Sequence, residues 1–310
     1  SAASDVYKRQ DLVKYGVSFT RDENGDFVYT REGAHAHHRI LFHEDITGKE
    51  ITSHLLNAVK KLKNVRMYEY TTLLDILCDG SKCCGGIIRW PDGREEQVEA
   101  DYVILATGGI GGTYKHSTNF KHLTGDGVEI ARRHNIELKN LDYVQIHPTT
   151  LYSDNKEERS FLISESVRGE GARLYDKNMN RFVDELLPRD LLTQEIYKQM
   201  EKDGTDFVWE DLRTIPRDEL ISHFPNIIEH CSQAGYDVFH ECIPIVPAQH
   251  YFMGGIKVNH NSKTSMDHLY AVGETACNGV HGKNRLASNS LLESLVFAKR
   301  AAKEIAGERR

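Results

Sequence analysis

The sequence lacks a basic excess and has no long apolar run. Its 39 lysines and arginines are outnumbered by 46 aspartates and glutamates, which gives a net charge of -7 over 310 residues. Nucleic-acid binders usually show a basic excess or a dense basic patch, and neither is visible here. The apolar stretches, such as residues 102–106, are far shorter than the roughly 18 residues of a membrane helix. We therefore expect no nucleic-acid partner and no membrane span.

Paired cysteine motifs are also missing. The chain has six cysteines, none of which forms a C-x-x-C pair or has the spacing of a zinc site. A chain of this length does not need disulfides to stabilise its core. We interpret the cysteines as free thiols in a reducing compartment, and we expect a cytoplasmic location and no metal site.

The ends of the sequence are atypical of a complete protein. Residues 1–10 (SAASDVYKRQ) resemble translated adapter sequence, so we treat them as a non-native leader and exclude them from the fold. No methionine begins the chain, and residues 305–310 end a predicted helix with charged side chains. We expect a piece of a longer protein that is truncated at both ends.

The remaining sequence alternates between strand and helix patterns. Thr47 and Glu50 have the spacing of a capping box, and apolar residues then recur at helical spacing. The apolar runs 102–106 and 269–272 are typical of fully buried strands in parallel sheets. Further patterns predict strands at 65–70, 73–78 and 86–90, and helices at 127–134, 190–203 and 291–305. This alternation indicates an α/β fold with a doubly wound, Rossmann-like sheet.

Small residues follow both predicted buried strands. Thr107, Gly108 and Gly109 come directly after the first, and Glu274 comes shortly after the second. Ligands of doubly wound sheets bind at the carboxyl ends of strands, where glycine permits close backbone approach. Asp126, at the start of a predicted helix, has the chemistry to accept a ribose-type hydroxyl. Ordinary turns explain each feature equally well when it is taken alone, and no complete G-x-G-x-x-G follows a strand.

Several longer motifs occur in a fixed order along the chain. They are TREGAHAHHRI, HPT, SE-x-x-RGEGA, PRD, H-Y-x-x-GG and NRLASNSLLE. This combination resembles the succinate dehydrogenase/fumarate reductase flavoprotein family, from about residue 11 to the end. The TREGAHAHHRI segment most resembles the branch of that family that oxidises L-aspartate.

The resemblance implies an FAD-binding domain that is interrupted by an α+β capping domain. Residues 11–140 and 254–310 are expected to form the FAD-binding domain, without its N-terminal dinucleotide motif, and residues 141–253 to form the cap. Residues 65–90 are expected to form a small β insertion. Succinate-oxidising relatives carry a histidine that binds FAD covalently, and the TREGAHAHHRI region has no clear counterpart. We therefore expect non-covalent FAD.

The resemblance also implies a site for a small dicarboxylate, L-aspartate. Arg285 is expected to hold one carboxylate with bidentate geometry, and His147 and His250 to contact the substrate. Arg189 is expected to lie over the reacting carbons, and Glu32 to stabilise the α-ammonium that distinguishes aspartate from succinate. Three further residues are expected to line the pocket: Gln145, Ser164 and Glu165.

Cofactor contacts follow from the same resemblance. Glu274 is expected to bind ribityl or ribose hydroxyls, and the N-terminus of the last helix to point its positive end at the flavin. The full set of expected FAD contacts is Thr107, Gly108, Gly109, Asp126, Glu274, Asn289, Ser290 and Leu291.

Some roles stay open. Arg189 is expected to act as a proton carrier, as an electrostatic orienter, or merely as a partner of Asp190 or Glu185 at a helix start. Glu32 taken alone is a solvated loop carboxylate. Ser164 stands where the family commonly has threonine, and Lys283 stands where a small residue is usual.

Three hypotheses for function follow. In the first, hydride passes from Cα of aspartate to flavin N5, O2 or fumarate reoxidises the flavin, and quinolinate synthase uses the iminoaspartate for NAD synthesis. The second is a fumarate reductase or succinate dehydrogenase flavoprotein subunit, which Glu32 disfavours. The third is a non-catalytic fragment that does not retain FAD.

Overall fold

The structure is a computed structural model that describes residues 10–30, 37–44, 46–155 and 158–308. After a short helical segment at residues 10–14, the helices are α1 (Thr47–Lys60), α2 (Asp126–Arg133), α3 (Glu165–Gly169), α4 (Arg189–Asp203), α5 (Arg217–His223), α6 (Pro225–Gln233) and α7 (Asn289–Glu308). The strands are β1 (Tyr29–Thr30), β2 (Ile40–Leu41), β3 (Thr72–Asp79), β4 (Lys82–Arg89), β5 (Glu95–Glu99), β6 (Val103–Leu105), β7 (Leu138–Lys139), β8 (Val144–Leu151), β9 (Phe161–Leu162), β10 (Arg173–Tyr175), β11 (Val208–Asp211), β12 (Ile243–Phe252), β13 (Gly255–Lys257), β14 (Leu269–Ala271) and β15 (Ala276–Cys277).

A five-stranded antiparallel sheet occupies the middle of the chain. Its strand order is β10-β11-β12-β8-β9. Strand β12 is buried along almost its whole length, because elements cover both faces of the sheet. Leu192 and Ile196 of α4 are fully buried in the core that this sheet shares with its helices. This sheet and its helices lie within residues 141–253, whose boundaries as a capping domain stay a prediction.

Parallel strand pairs lie in the flanking segments. Leu269 of β14 pairs with Val103 of β6, and Ala271 pairs with Leu105. Strand β13 pairs with β15, also in parallel. Because β6 and β14 run in the same direction, their carboxyl ends lie side by side. The loops that follow, from residue 106 and from residue 272, therefore begin at one edge.

An antiparallel sheet of three strands, in the order β3-β4-β5, spans residues 72–99 and so extends beyond the insertion predicted at residues 65–90. The predicted strands 73–78 and 86–90 lie in β3 and β4. However, the strand expected at residues 65–70 does not form. Tyr68 and Tyr70 are 56% and 89% exposed there, and Tyr70 has a φ of 55°, a left-handed conformation that interrupts an extended strand.

Two local expectations also need correction. Thr47 begins α1 but does not cap it, since its hydroxyl accepts the His43 N–H and Glu50 accepts the Ser18 N–H instead. Residues 102–106 are not fully buried, because Ile104 is 45% exposed. Among the described residues, β14 is the one strand that pairs with β6.

The helix predictions are confirmed to within two or three residues. The expected helices at 127–134, 190–203 and 291–305 correspond to α2, α4 and α7. All six cysteines are free. Among the residues that the structure describes, none of the helices is long and apolar enough to cross a membrane.

Candidate functional site

Two neighbouring strands bring the predicted substrate histidines together. His147 lies on β8 and His250 on β12, and their ring centroids are 5.3 Å apart. Each histidine lies beside an irregularity of the ladder. On β12, Gln249 and Tyr251 pair with the consecutive residues Ile146 and Gln145, which leaves His250 as an extra residue. Such a bulge re-aims the side chain that it carries.

The second irregularity of the β8–β12 ladder explains how the proline of the HPT motif is accommodated in β8. Val246 pairs with Thr150 and Ala248 with His147, so β8 has one more residue than β12 between these pairs. Pro148 lies in that interval. Proline has no N–H for the ladder, and within a sheet it is tolerated at edges and bulges. The same irregularity sets the position of His147.

Both histidines are held in the neutral state. Burial lowers the pKa of His147 well below its ordinary value, and the charge of Arg189 lowers it further. Burial likewise lowers the pKa of His250, with Arg285 and Arg189 adding to the effect. A neutral imidazole has one donor and one acceptor nitrogen. His147 Nδ1 contacts the Thr149 backbone, and His250 Nδ1 lies 2.8 Å from Thr118 Oγ1.

Arg189 forms an ion pair with Glu165, and not with Asp190 or Glu185, the partners expected if it served only at the helix start. It begins α4, and its Nε donates to Glu165 Oε2 at 2.6 Å. Its Nη1 donates to Gln145 Oε1 at 3.3 Å. The Arg189 and Glu165 side chains are 11% and 13% exposed. The expected partner Glu185 is instead paired with Arg181.

Gln145 connects the two predicted substrate arginines. While its Oε1 accepts from Arg189, its Nε2 donates to the carbonyl of Arg285 and to Asn284 Oδ1, both at 2.7 Å. Arg285 is 5% exposed, and its guanidinium carbon lies 4.6 Å from the centroid of the Tyr251 ring. Two guanidinium groups and two neutral histidines therefore lie in one largely buried cluster, which is suited to an anionic ligand.

Not every predicted residue is brought into this cluster. Ser164 is the N-cap of α3, and its hydroxyl accepts the Ser166 N–H at 3.2 Å. Glu165 follows it directly and does reach Arg189. Glu32 lies outside the described residues, so its role stays a prediction.

The predicted cofactor residues meet at the carboxyl ends of β6 and β14. Thr107 donates to Thr275 across the two loops at 2.9 Å, and Gly108 has a φ of 73°. A Cβ on Gly109 would lie 2.4 Å from Glu274 Oε1. A methyl group at this position would therefore force the Glu274 side chain to shift.

Glu274 joins the cofactor loops to the substrate strand. Its Oε1 accepts the Phe252 N–H at 2.8 Å, two residues beyond His250 on β12. Burial raises the pKa of Glu274 to about 7. Its second oxygen has no partner among the described residues, which suits a carboxylate that accepts a ribose or ribityl hydroxyl.

The remaining predicted contacts lie at two helix starts. Asp126 is the first residue of α2 and accepts the Thr124 hydroxyl at 2.8 Å. Asn289, Ser290 and Leu291 form the first turn of α7. Ser290 Oγ lies 3.4 Å from Arg285 Nη1, so the positive end of this helix is next to the substrate arginine. These donors and acceptors fit FAD, and their individual contacts with it stay predictions.

Sequence reasoning missed several residues of this region. Thr118 contacts His250, and Asn119 Nδ2 donates to the Gln249 side chain and the His250 carbonyl. Arg168 is 2% exposed and is charge-coupled to Glu165. Arg168 could have been identified as a site residue from its position within SE-x-x-RGEGA, whereas residues 117–119 match no motif.

Comparison with known proteins identifies the class. The profile of the FAD binding domain family matches residues 6–291. Among solved structures, a quinol fumarate reductase of E. coli superposes with a TM-score of 0.88 at 31% identity, over 96% of this chain and 55% of that one. The expected α/β fold of the succinate dehydrogenase/fumarate reductase flavoproteins is confirmed, and FAD is the cofactor of this domain.

Curated relatives narrow the class further. The L-aspartate oxidase of Clostridium perfringens is 52% identical over 294 residues, which cover 95% of this chain and 66% of that protein. The L-aspartate oxidase of Clostridium acetobutylicum is 47% identical over 304 residues, which cover 98% and 70%. The chain belongs to the L-aspartate oxidase family of flavoproteins. It spans about two thirds of the length of these two relatives.

Proposed function

We propose that the protein oxidises L-aspartate to iminoaspartate with FAD as the hydride acceptor. The observation that carries this proposal is the contact of Gln145 with both substrate arginines. Its side chain joins the guanidinium of Arg189 to the backbone of Arg285, beside two neutral histidines. A dicarboxylate needs donors at both of its ends, and this cluster supplies them in a largely buried setting.

Arg285 binds one carboxylate of the substrate. A guanidinium offers two parallel N–H donors that match the two oxygens of a carboxylate. The Tyr251 ring supports the guanidinium from one side, at 4.6 Å. His147 and His250 add neutral donors, so the binding of a dicarboxylate does not depend on protonation of the imidazoles near pH 7.

Arg189 orients the substrate over the reacting carbon. Its contacts with Glu165 and Gln145 fix the direction of the guanidinium, and an arginine is a poor acid because its pKa exceeds about 12. A guanidinium that is already oriented holds the anionic substrate in place without reorganisation during the reaction. We therefore assign Arg189 an electrostatic role in this chain.

Glu274, Asp126 and the loop at Thr107 would hold FAD non-covalently, and the bound cofactor would supply the acceptor for the hydride that leaves Cα of the substrate. The first turn of α7 would direct the positive end of that helix toward the cofactor. Glu32 receives the α-ammonium of aspartate. This contact is the one that distinguishes aspartate from succinate.

The steps before and after the chemistry are also proposals. O2 or fumarate reoxidises the flavin, and a quinolinate synthase consumes the unstable iminoaspartate in NAD synthesis. We place the protein in the cytoplasm, in agreement with six free cysteines.

Anaerobic flavin bleaching in the full-length protein tests this function. Addition of L-aspartate is expected to remove the oxidised-flavin band, and addition of succinate is expected to leave it. Glu32→Gln is the matched variant, and it is expected to weaken bleaching by aspartate while FAD stays bound.

The alternatives give different results. Bleaching by succinate but not by aspartate identifies a fumarate reductase-type subunit and refutes the proposal. Loss of FAD on gel filtration of the full-length protein identifies a chain that does not retain its cofactor.

A further inference from the structure

A cysteine, a histidine and an aspartate form a connected row outside the flavin site. Cys78 lies near the end of β3, and His134 directly follows α2. His134 Nδ1 lies 3.5 Å from Cys78 Sγ, and His134 Nε2 lies 2.8 Å from Asp75 Oδ1. None of these residues takes part in the proposed flavin chemistry.

Asp75 determines which nitrogen of His134 faces the thiol. Burial raises the pKa of Asp75, but hydrogen bonds from His134, the Ile76 N–H and Arg133 outweigh it and hold this pKa below its ordinary value. The ionised carboxylate accepts a hydrogen bond from His134 Nε2–H. In the neutral ring, Nδ1 is then the acceptor, and it faces the Cys78 thiol. A nucleophile, a base and an orienting carboxylate are therefore arranged in sequence.

A second thiol lies directly across the hairpin. Cys83 of β4 is the register partner of Cys78, and the pair flanks the tight connection between β3 and β4. Opposed residues of antiparallel strands have Cα atoms about 4.5–5.5 Å apart, within the range of about 4.4–6.8 Å that a disulfide spans. Cys83 is fully buried, whereas Cys78 is exposed. Solvent oxidants therefore reach Cys78 first.

We propose that Cys78 and Cys83 form a peroxide-reactive dithiol pair, in which His134 is the base for Cys78 and Asp75 positions His134. Peroxide is the oxidant class that suits an exposed thiol beside a base. The site lies apart from the residues that bind substrate and FAD.

The chemistry takes place in two balanced steps. His134 removes the thiol proton, the Cys78 sulfur attacks one peroxide oxygen, and the O–O bond breaks. The leaving hydroxide takes the proton, so the products are a Cys78 sulfenic acid and water. The Cys83 thiol then attacks the sulfenic sulfur, which forms the disulfide and releases a second water. Peroxide is reduced by two electrons, and the two thiols are oxidised by two.

The base is needed because the thiol is protonated at rest. Burial raises the pKa of Cys78, and the nearby Cys83, Cys84 and Asp75 raise it further. The thioether of Met266 also contacts the sulfur, at 3.7 Å, and offers no charge. Since the thiolate is the nucleophile, removal of the His134 base is expected to slow the first step.

The proposed oxidase reaction provides a source of the oxidant. Reoxidation of the flavin by O2 releases hydrogen peroxide, and α2 extends from Asp126, at the expected FAD site, to His134. This source rests on the proposed function. The reactivity of the thiols does not, because hydrogen peroxide can be added directly.

The test uses the full-length, FAD-loaded protein, reduced and then exposed to hydrogen peroxide without substrate. Peptide mass spectrometry is expected to show a Cys78–Cys83 disulfide. In Cys83→Ser, a dimedone trap is expected to label Cys78 as its sulfenic acid. Cys242 is the internal comparison, since it is a partly exposed thiol that contacts Arg213 and no histidine.

Matched variants test whether His134 acts as the base for Cys78 or whether exposure of the thiol alone explains its reactivity. His134→Gln is expected to slow labelling of Cys78 by about 100-fold or more, the lower range for a lost general base. Cys242→Ser alters a thiol that contacts Arg213 and no histidine, and it is expected to leave the rate of Cys78 labelling unchanged. FAD content checks that each variant is folded. Labelling of Cys78 no faster than Cys242, or an unchanged rate in folded His134→Gln, overturns the proposal.

Discussion

Glu210 allows a quantitative test of how burial changes the pKa of a carboxyl group in this structure. It lies on β11, it is 0% exposed, and neither carboxylate oxygen has a hydrogen-bond partner among the described residues. Arg168 is 2% exposed and donates its Nη1 to the Glu185 carbonyl at 2.7 Å. Burial raises the pKa of Glu210 to about 8 from an ordinary value of 4.5, although the charge of Arg168 lowers it. With its pKa raised by burial to about 8, Glu210 is the neutral member of the pair at pH 7, whereas Arg168 stays charged.

The raised pKa fixes the sign of the pH dependence. Folding favours the protonated carboxyl, so its contribution is fully present below pH 4.5 and is lost as the pH rises toward 8. Each unit in this window costs about 1.4 kcal/mol, which amounts to about 3 kcal/mol between pH 5 and pH 7.5. Glu210→Gln keeps the shape of the neutral acid and does not ionise. The variant is expected to match the wild type near pH 5 and to be about 3 kcal/mol more stable at pH 7.5.

Urea unfolding of the FAD-loaded full-length protein at several pH values measures this difference. Subtraction of the wild-type curve removes the contribution of other titrating groups, including His147 and His250. Glu201→Gln, at an exposed position of α4, is the control and is expected to give a curve parallel to the wild type. Parallel curves for Glu210→Gln as well would show that Glu210 is ionised in the folded protein, and the reasoning from burial would be wrong.

Further predictions concern the flavin site. Arg285→Lys replaces a bidentate donor with a point charge and is expected to lower kcat/KM for aspartate by about 10- to 100-fold, measured by steady-state turnover; an unchanged value would exclude carboxylate binding by Arg285. Glu165→Gln removes the charge that holds Arg189 at 2.6 Å and is expected to lower kcat at least about tenfold with a smaller change in KM, whereas a change in KM alone contradicts an orienting role. Gly109→Ala places a methyl 2.4 Å from a Glu274 oxygen and is expected to cost about 1–3 kcal/mol in FAD binding, measured by flavin titration of the apoprotein. Acid precipitation is expected to release all the flavin into the supernatant, and flavin in the pellet would refute non-covalent binding.

The sequence allowed much of the fold to be predicted where local pattern and burial agree. Residues 269–272 read as a buried strand, and β14 is buried at each of its positions. The same reasoning was wrong for Ile104, whose exposure depends on which element covers β6. The capping box failed for a similar reason, since Glu50 accepts the N–H of Ser18, 32 residues upstream, instead of capping its own helix. Composition and periodicity carry no information about such distant partners.

For the candidate site, too, the sequence predicted the residues but not the strand pairing that arranges them. His147, Arg189 and His250 were found because they lie in ordered motifs, and the structure brings them into one cluster. The motifs alone do not explain why His250 faces His147. That depends on an extra residue in β12 relative to β8, which is a property of the pairing of two strands about 100 residues apart. If the pairing there were regular, His250 would turn away from His147. The pairing of β8 with β12 therefore determines this site as much as the identities of its side chains do.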